Sequence, residues 1–499
     1  MSDKSYILTI DQGTTSTRII LFNQEGRFID YVQKSHQQFF PHNGWVEHNP
    51  EEIWKNVYNL GKEILLKNNL TAESILTIGI TNQRETTILW NRKTGKAVYP
   101  AIVWQDRRTA EWCDHFKEQG LENKVIHKTG LVLDPYFSVS KIAWILNSDK
   151  NLKQAAQKGE IAFGTMDSFL LWHLTEGKVH ATDVTNASRT LLYNIHDKCW
   201  DLELLSLFDI PIKILPAVLP NSFLFGYTSK DLWGAAIPIT GMIGDQQAAL
   251  VGQACLKEGM IKATYGTGGF ILMNIGKEAK ISEQKLLTTI AYQTNDAFAY
   301  AFEGSFFMAG ASVEWLCDKL ELVKNAHETE ILAASLEDNQ GVYLIPAFTG
   351  LGAPYWDPYA RGAIIGMTRA TGKAEVARAT LESVVYQTKD LLDIMIQDSG
   401  IKPIVLRADG GMVHNKWLMQ FLADILSINV DIPSYHETTA LGASYIAALG
   451  GGLLKSSDDV MKYWYKHHSY QPIMVEKQQK ILYKGWLCAL QRIQTNSMN

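Results

Sequence analysis

The sequence predicts an α/β protein built from two similar domains. Its 499 residues exceed what one hydrophobic core usually serves, so two large domains are expected. Helix and strand signals alternate along the chain, which is typical of α/β domains. A strand, a polar turn and a second strand occur at residues 6–22 and again at 259–273, once in each half. We place the boundary near Gly252, giving domains 1–252 and 253–499. The absence of a low-complexity linker there favours closely hinged halves.

Composition narrows the class of protein further. Hydrophobic residues make up 46% and charged residues 20% of the chain, as in a globular protein. The net charge of −5 gives no electrostatic reason to expect binding to nucleic acid or to an anionic membrane. The five cysteines are scattered without a C-x-x-C pair, so neither a disulfide framework nor a zinc site is expected. Asp11 interrupts the only early apolar run, and no run is long enough to span a bilayer. We therefore expect a cytoplasmic protein.

The first polar turn has the composition of a phosphate-binding loop. Residues 11–18 contain one carboxylate, one glycine, four hydroxyl residues and one arginine. Glycine lets the backbone approach a ligand, and hydroxyl and guanidinium groups donate to phosphate oxygens. Asp11, at the end of the strand, is placed to hold Mg²⁺ directly or through water. The residues expected on phosphate are Thr14, Thr15, Ser16 and Arg18. Taken alone, this composition is as typical of an ordinary polar hairpin tip as of a phosphate-binding loop.

The second half repeats this arrangement. Residues 264–269 read Thr-Tyr-Gly-Thr-Gly-Gly and lie between two apolar runs. Two phosphate-binding hairpins, one per half, indicate a duplicated domain that closes on a nucleotide. This layout resembles the superfamily of actin, hexokinase and the heat-shock chaperone ATPases. Neither turn matches G-x-x-x-x-G-K-[ST] or G-x-G-x-x-G, so a P-loop or Rossmann interpretation is unsupported.

Three further elements of the first half follow from local patterns. Apolar residues at helical spacing over 51–66, behind the Asn49-Pro50 start signal, predict a helix. Residues 74–81 predict a buried strand that delivers residues 82–85 to its carboxyl end, where α/β sheets place ligands. Another strand, over 239–244, ends in the carboxylate of Asp245.

The second half has two comparable signals. A strand over 406–409 ends in Gly410-Gly411 and leads to a helix with one apolar face, from Trp417 to Leu426. The glycine pair suits a flat adenine or ribose, although such pairs are more often plain tight turns. Residues 439–450 predict a helix of small residues, which favours close backbone packing against a neighbour.

Several longer segments connect the chain with a known family. Ile10–Ser16 resembles the first phosphate loop of the FGGY family of carbohydrate kinases, and Tyr136–Trp144 and Thr438–Ala443 fit its two signatures. The resemblance covers nearly the whole chain. Other segments resemble the members that phosphorylate glycerol; these are Gly44–His48, Asn82–Thr86, Ile102–Thr109, Gly244–Leu250 and Leu351–Pro358.

This resemblance implies a fold of two RNase-H-like domains with the active site in the cleft between them. It implies ATP- and Mg²⁺-dependent phosphorylation of glycerol to sn-glycerol 3-phosphate, the entry step of glycerol catabolism. Asp245 is the expected general base, and Asp11 and Asp245 are the expected metal ligands. The residues expected to hydrogen-bond the polyol are Arg84, Glu85, Tyr136, Asp245 and Gln246, with Trp104 and Phe270 packing on its carbons. Singly, each has a plain alternative: an exposed Arg84-Glu85 pair, a half-buried core tyrosine, or an Asp245 that caps a helix.

The nucleotide residues are carried over in the same way. Thr267 and Gly310 are expected near the phosphate and ribose, and Gly411 and Asn415 near the adenosine. Glu314 stands where a nucleotide-contacting glutamine is expected, which keeps an acceptor and loses two donors. Gly269 stands where members of the family often carry a small thiol or similar residue, and we interpret this departure as minor.

The sequence features weigh against several other classes of protein. Other sugar kinases of the family, acting on xylulose, gluconate or another polyol, are disfavoured by the segments around Arg84 and Trp104. A chaperone-type or filament-forming ATPase would lack a small polar substrate pocket or would need a further domain. The intact charged set of Asp11, Arg18, Arg84 and Asp245 argues against a catalytically idle regulator.

Some bacterial members are inhibited by fructose 1,6-bisphosphate or activated by histidine phosphorylation. Residues 227–238 contain no arginine or histidine, so neither form of regulation is expected here. We also expect a homo-oligomer, either a dimer or a tetramer.

Overall fold

The computed structural model describes residues 5–357, 359–435 and 437–495, and its two halves are each built on one large β-sheet. The strands of the first half are β1 (Tyr6–Gln12), β2 (Ser16–Asn23), β3 (Phe28–Ser35), β4 (Gln38–Phe39), β5 (Glu47–His48), β6 (Ile75–Asn82), β7 (Ile88–Asn91), β8 (Ala101–Ile102), β9 (Ile161–Gly164), β10 (Ala181–Asp183), β11 (Tyr193–Asn194), β12 (Cys199–Trp200), β13 (Ala217–Leu219), β14 (Ser222–Tyr227) and β15 (Pro238–Gly244). Its helices are α1 (Pro50–Lys67), α2 (Ala110–Glu118), α3 (Glu122–Thr129), α4 (Ser138–Ser148), α5 (Lys150–Lys158), α6 (Met166–Leu174), α7 (Val184–Ala187), α8 (Leu202–Leu207), α9 (Lys230–Trp233) and α10 (Asp245–Gly252).

The second half continues the same alternation. Its strands are β16 (Met260–Tyr265), β17 (Gly269–Gly276), β18 (Leu287–Gln293), β19 (Phe298–Phe306), β20 (Tyr343–Ile345), β21 (Ala363–Ile365), β22 (Val405–Asp409), β23 (Val430–Pro433) and β24 (Lys466–Tyr470). Its helices are α11 (Gly310–Asp318), α12 (Ala326–Ala334), α13 (Lys373–Ser399), α14 (Lys416–Leu426), α15 (Thr438–Gly450), α16 (Ser457–Lys462) and α17 (Glu476–Gln491). Within the described ranges, no helix combines the length and apolarity needed to cross a membrane.

The two large sheets share one topology at their centres. The first has the order β14-β15-β6-β1-β2-β3, and the second has the order β18-β19-β17-β16-β22-β23-β24. In the first sheet β1 pairs with β2 in antiparallel fashion and with β6 in parallel; in the second, β16 pairs likewise with β17 and β22. The two predicted hairpins are therefore confirmed, and each lies in the interior of its sheet. Their turns consequently occupy equivalent positions in the two halves.

Helix α1 begins where its start signal predicted. Asn49 is its N-cap, and the Asn49 side chain accepts hydrogen bonds from the backbone N–H groups of Glu51 and Glu52 at 3.0 and 3.2 Å. Pro50 occupies the first turn, where its missing N–H costs nothing. The buried face of the helix, which includes Ile53 and Val57, packs on the first sheet.

The predicted helix of small residues, α15, connects the halves. It belongs to the second half in sequence, yet it packs on β6 and β15 of the first sheet and against α10. A Cβ atom on Gly442 would lie 1.8 Å from the Ala248 carbonyl oxygen, and one on Gly241 would lie 2.5 Å from the Ala447 nitrogen. Only glycine allows backbones to approach this closely. The prediction of close packing is confirmed, and α10, which begins at Asp245, is fixed by this contact.

Gly269 is more important to the packing than the sequence suggested. A Cβ atom on Gly269 would lie 2.2 Å from the ring of Phe306, which is buried. Gly269 and Phe306 are directly opposed partners on β17 and β19. The missing side chain therefore makes room for a large aromatic ring across the strand pair, and the departure is not minor.

Candidate active site

Asp245 lies where a buried strand gives way to a helix. Strand β15 ends at Gly244, and Asp245 is the first residue of α10. Its Oδ1 accepts a hydrogen bond from the Gln246 backbone N–H at 2.7 Å and lies 3.1 Å from Arg84 Nε. Its side chain remains 31% exposed, so a ligand has access to the carboxylate. Burial raises the pKa of Asp245 to about 6, with Arg84 opposing the shift. Such a carboxylate is ionised at neutral pH and is basic enough to accept a proton.

Arg84 is held by several acceptors at once. Its Nη1 and Nη2 donate to the two oxygens of Glu303 at 2.6 and 2.9 Å, and Nη1 also donates to Gln247 Oε1 at 3.2 Å. Its Nη2 lies 3.4 Å from the Tyr136 hydroxyl, at the long end of a hydrogen bond. Although burial opposes the charge, Glu303 and the other nearby carboxylates hold the pKa of Arg84 well above its usual value. The guanidinium is thus permanently charged and fixed in orientation.

Glu85 occupies a strained turn. Its φ of 59° lies in the left-handed region, which a residue other than glycine adopts only where its surroundings impose it. Its backbone oxygen accepts hydrogen bonds from Thr87 Oγ1 and Ser138 Oγ, both at 3.0 Å. Its carboxylate accepts one from Arg189 Nε at 2.6 Å. These contacts fix the buried carboxylate beside Arg84, so the alternative of an exposed Arg84-Glu85 pair is wrong.

Sequence reasoning missed two charged residues of this cluster, Arg189 and Glu303. Arg189 is fully buried, donates to Glu303 Oε1 at 3.0 Å, and lies over the rings of Tyr136 and Phe137. Burial alone would raise the pKa of Glu303, but Arg189 and Arg84 lower it to about 2. A weak signal was present in the sequence, because each is the only charged residue in its neutral segment, residues 184–195 and 298–306.

The aromatic residues predicted for the polyol are brought together only in part. The rings of Trp104 and Tyr136 meet edge to face, with centroids 5.6 Å apart. Trp104 Nε1 also donates to Thr14 Oγ1 at 3.0 Å, which joins the predicted polyol residues to the predicted first phosphate loop. Phe270 is half-buried on β17, opposite Thr264. In the described part of the chain, no ring contact joins it to Trp104 or Tyr136.

The predicted first phosphate loop is a closed hairpin with a charged base. The Gly13 N–H donates to the Ser16 oxygen at 2.9 Å, and the exposed Thr15 lies at the tip of the turn. Asp11 and Arg18 face each other across β1 and β2, with Arg18 Nη2 2.6 Å from Asp11 Oδ2. Arg18 also pairs with Glu437, at the start of α15. Burial raises the pKa of Asp11, although Arg18 lowers it.

The predicted second phosphate loop contacts the start of α11. The Ala309 and Ala311 N–H groups donate to the Thr267 oxygen at 2.9 and 3.1 Å, and the Gly310 N–H donates to the Gly266 oxygen at 2.9 Å. A Cβ atom on Gly310 would lie 2.7 Å from that oxygen, so glycine is required there. The structure therefore places Thr267 beside Gly310, and Thr267 is exposed.

The residues predicted for adenosine lie in the turn between β22 and α14. Gly410 has φ of 90°, and a Cβ atom there would lie 2.4 Å from the Tyr265 oxygen of the second hairpin. A Cβ atom on Gly411 would meet nothing within 4 Å, so this side of the turn is open. Asn415 is the N-cap of α14, where its Oδ1 accepts from the Leu418 N–H at 2.9 Å. Glu314 lies on α11, one turn beyond Gly310, and is exposed.

The donor chemistry of the two predicted metal ligands suits a Mg²⁺ ion bound together with phosphate. Within the described residues there is no cluster of three or more His, Cys, Asp or Glu side chains, so no all-protein cage exists. Mg²⁺ usually binds through one or two carboxylates and completes its shell with phosphate and water. Asp11 makes its contacts through Oδ2 and Asp245 through Oδ1, which leaves one oxygen of each carboxylate for such a shell.

The fold, with its two equivalent hairpins, and the buried charged cluster around Arg84 are together those of a carbohydrate kinase. The chain belongs to the FGGY family of carbohydrate kinases: residues 6–252 match its N-terminal domain and residues 261–450 its C-terminal domain. Within that family it is 54% identical over 488 residues to "Glycerol kinase" of Alcanivorax borkumensis, covering 98% of both chains. It also matches the crystal structure of Plasmodium falciparum glycerol kinase with ADP, with a TM-score of 0.94, 39% identity and 99% of both chains covered.

A more distant structure shares the fold alone. The ligand-bound xylulose kinase from Lactobacillus acidophilus is 21% identical, with a TM-score of 0.88 over 98% of both chains. The predicted fold class and the family resemblance are thus confirmed. Membership of this family of kinases over nearly the full length also sets aside the chaperone-type and filament-forming alternatives.

Proposed function

We propose that the protein transfers the γ-phosphoryl group of ATP to a primary hydroxyl of glycerol, giving ADP and sn-glycerol 3-phosphate. The observation that supports this most is the direct contact of Arg84 with Asp245, at 3.1 Å, inside a cluster that also contains Glu85 and Tyr136. The relatives named glycerol kinase support the same substrate, since they match this chain over nearly its whole length.

The chemistry of the cluster suits a small polyol. Glycerol has three hydroxyl groups on a short carbon frame, so specific binding needs several fixed donors and acceptors. A site built to hydrogen-bond a hydroxyl rejects an analogue that lacks it, because the buried partner is then unsatisfied. Gln246 supplies a donor, and Arg84 adds the N–H of Nη2 that Tyr136 holds only at 3.4 Å. Glu85 and Asp245 supply acceptors, and the ring of Trp104 covers apolar carbon.

Asp245 is proposed as the general base. Phosphoryl transfer depends mainly on positioning and on neutralising charge, with little covalent work for the protein. As the primary hydroxyl attacks the γ-phosphorus, Asp245 accepts its proton, and the leaving group is ADP. Arg84 keeps the carboxylate in one orientation through Oδ1.

The nucleotide is proposed to lie across both halves. The hairpin at Thr14, Thr15 and Ser16 and the hairpin at Thr267 donate to phosphate oxygens, while Arg18 adds positive charge. The open face of Gly411, beside Asn415, receives the adenosine. Asp11 and Asp245 would hold Mg²⁺, which neutralises phosphate charge when bound. A domain boundary near Gly252 fits this arrangement.

Identification of the product tests the proposal. Purified protein is incubated with ATP, Mg²⁺ and glycerol, and the product is examined by ³¹P NMR and with an oxidoreductase specific for sn-glycerol 3-phosphate. The proposal predicts one phosphomonoester that this enzyme oxidises completely. A product that resists oxidation, or ATP hydrolysis without a phosphorylated polyol, would contradict it.

A further inference from the structure

Two buried charges on the second sheet lie in one row facing the first half. Lys262 on β16 is paired in register with Leu272 on β17, and Leu272 is paired with Glu303 on β19. Side chains directly opposite each other on adjacent strands point to the same face of a sheet. Both charged side chains are almost completely buried. A lysine and a glutamate therefore project from the second half towards the first half, on either side of a leucine.

Lys262 and Glu303 each bind a different residue of the proposed glycerol site. Glu303 binds Arg84 through two hydrogen bonds of 2.6 and 2.9 Å. Lys262 Nζ donates to Gln246 Oε1 at 2.6 Å. Arg84 follows β6 and Gln246 lies in the first turn of α10, so both partners belong to the first half.

The lysine determines which way the Gln246 amide faces. An ammonium group donates hydrogen bonds and accepts none, so only the amide oxygen can lie against it. The NH₂ group of Gln246 is then the end left for the pocket, where it can donate to a substrate oxygen. Without Lys262, the amide could turn over and present its oxygen instead.

The glutamate has an equivalent effect on Arg84. A bidentate contact fixes the plane of a guanidinium group as well as its position. Glu303 engages both Nη1 and Nη2 of Arg84, which holds Nε against Asp245 and the second N–H of Nη2 near Tyr136. A buried charge is expensive unless it is paired, so neither Lys262 nor Glu303 is explained by packing alone.

We propose that Lys262 and Glu303 are positioning residues for glycerol binding, acting from the second half through Gln246 and Arg84. The inference rests on the proposed function. It adds that the polyol pocket of the first half reaches its binding geometry only when the second sheet is docked against it.

Two double-mutant cycles test the lysine and the glutamate separately. Lys262→Met removes the donor at similar length, and it is measured in the parent and in Gln246→Ala. We expect the KM for glycerol to rise about tenfold in the parent, since a hydrogen bond to a charged group contributes about a factor of ten or more in affinity. In the Gln246→Ala background the same change should alter KM less than about twofold. Glu303→Gln is expected to behave likewise in the parent and in Arg84→Ala.

The controls separate positioning from folding. Glu382→Gln removes another buried carboxylate, one that binds Arg378 at 2.8 Å on α13, and should leave the KM for glycerol unchanged. Binding of a non-hydrolysable ATP analogue should change less than twofold in every variant. If Lys262→Met does not fold, Lys262→Gln replaces it, because its amide both donates and accepts and so releases the orientation of Gln246 without leaving a buried oxygen unpaired. Glu303→Asp, which keeps the charge, should recover part of the loss.

The outcomes are distinct. Equal KM changes in the parent and in the Gln246→Ala or Arg84→Ala background, with glycerol still phosphorylated by the parent, would overturn the positioning role alone. A parent protein that does not phosphorylate glycerol would overturn the proposed function and this inference together.

Discussion

Trp104 donates a hydrogen bond from its indole N–H to the hydroxyl of Thr14, at 3.0 Å. One partner belongs to the predicted polyol site and the other to the predicted phosphate loop. The contact therefore fixes the two sites relative to each other, which phosphoryl transfer between two bound substrates requires.

Trp104→Phe should weaken this connection while keeping an aromatic ring. We expect kcat to fall about fivefold to tenfold, because a neutral hydrogen bond contributes about 1 kcal/mol and misplacement adds to its loss. Steady-state kinetics in glycerol and in ATP measure the effect. Thr14→Val is the matched partner variant, and the two changes together should cost little more than either alone; fully additive losses would contradict a shared contact.

Asp245→Asn should retain nucleotide binding and lose turnover. A positioned general base contributes roughly 10²–10⁴-fold, and the amide cannot accept the proton. Because burial raises the pKa of Asp245, a neutral side chain is well tolerated there, and we expect a melting temperature no lower than that of the parent. Single-turnover kinetics with a separate ATP-binding titration check both points. Activity within about threefold of the parent would remove Asp245 from the role of base.

The pH profile provides the control for that variant. Asp245 must be ionised to accept a proton, so kcat/KM for glycerol should be maintained above its pKa of about 6 in the free protein and fall as the pH drops through that value. The residual rate of Asp245→Asn should lack this acidic limb. A parent profile that is flat through this range would contradict the assignment.

Arg84→Ala should damage both binding and stability. The KM for glycerol should rise because a donor to a substrate hydroxyl is lost. The free energy of unfolding should fall by about 3 kcal/mol, because Glu303 and Glu85 would lose a buried partner. Arg107→Ala is the surface control: its pair with Asp134 is exposed, and its loss should cost less than about 1 kcal/mol. An unchanged KM would exclude Arg84 from the pocket.

Gly269→Ala should destabilise the second sheet. The added methyl group meets the ring of Phe306, and overpacking of this kind usually costs about 1–3 kcal/mol. Urea unfolding measures the loss. Phe306→Leu in the Gly269→Ala background should recover part of it by freeing space. If the double variant is no more stable than Gly269→Ala, the clash is not with this ring.

The features that sequence predicted are local ones. The hairpins, the strand ends at Asn82 and Gly244, the start of α1 at Asn49, and the small-residue helix α15 all follow from patterns within a short window, and the structure confirms them. The predicted site residues on these elements, such as Arg84 and Asp245, come together because parallel strands β6 and β15 end at the same edge of the sheet.

The features that sequence missed depend on distant partners. Glu303 is 219 residues from Arg84, and Glu437 is 419 residues from Arg18. Neither spacing leaves a periodic signal, and a lone charge in a neutral strand looks the same whether it is paired or exposed. The packing of Gly269 against Phe306 likewise depends on the pairing of β17 with β19, which no short window of sequence predicts. Insensitivity to fructose 1,6-bisphosphate, the homo-oligomeric state and the boundary near Gly252 stay predictions.

Substrate preference tests the central claim most directly. An ADP-release assay is run at saturating MgATP with glycerol, dihydroxyacetone, xylulose and gluconate, each over a range that defines kcat/KM. The account predicts that glycerol has the highest kcat/KM, with xylulose and gluconate lower by at least about 100-fold, because their larger frames cannot satisfy the fixed donors and acceptors around Arg84 and Asp245. A higher kcat/KM for xylulose or gluconate than for glycerol would contradict it.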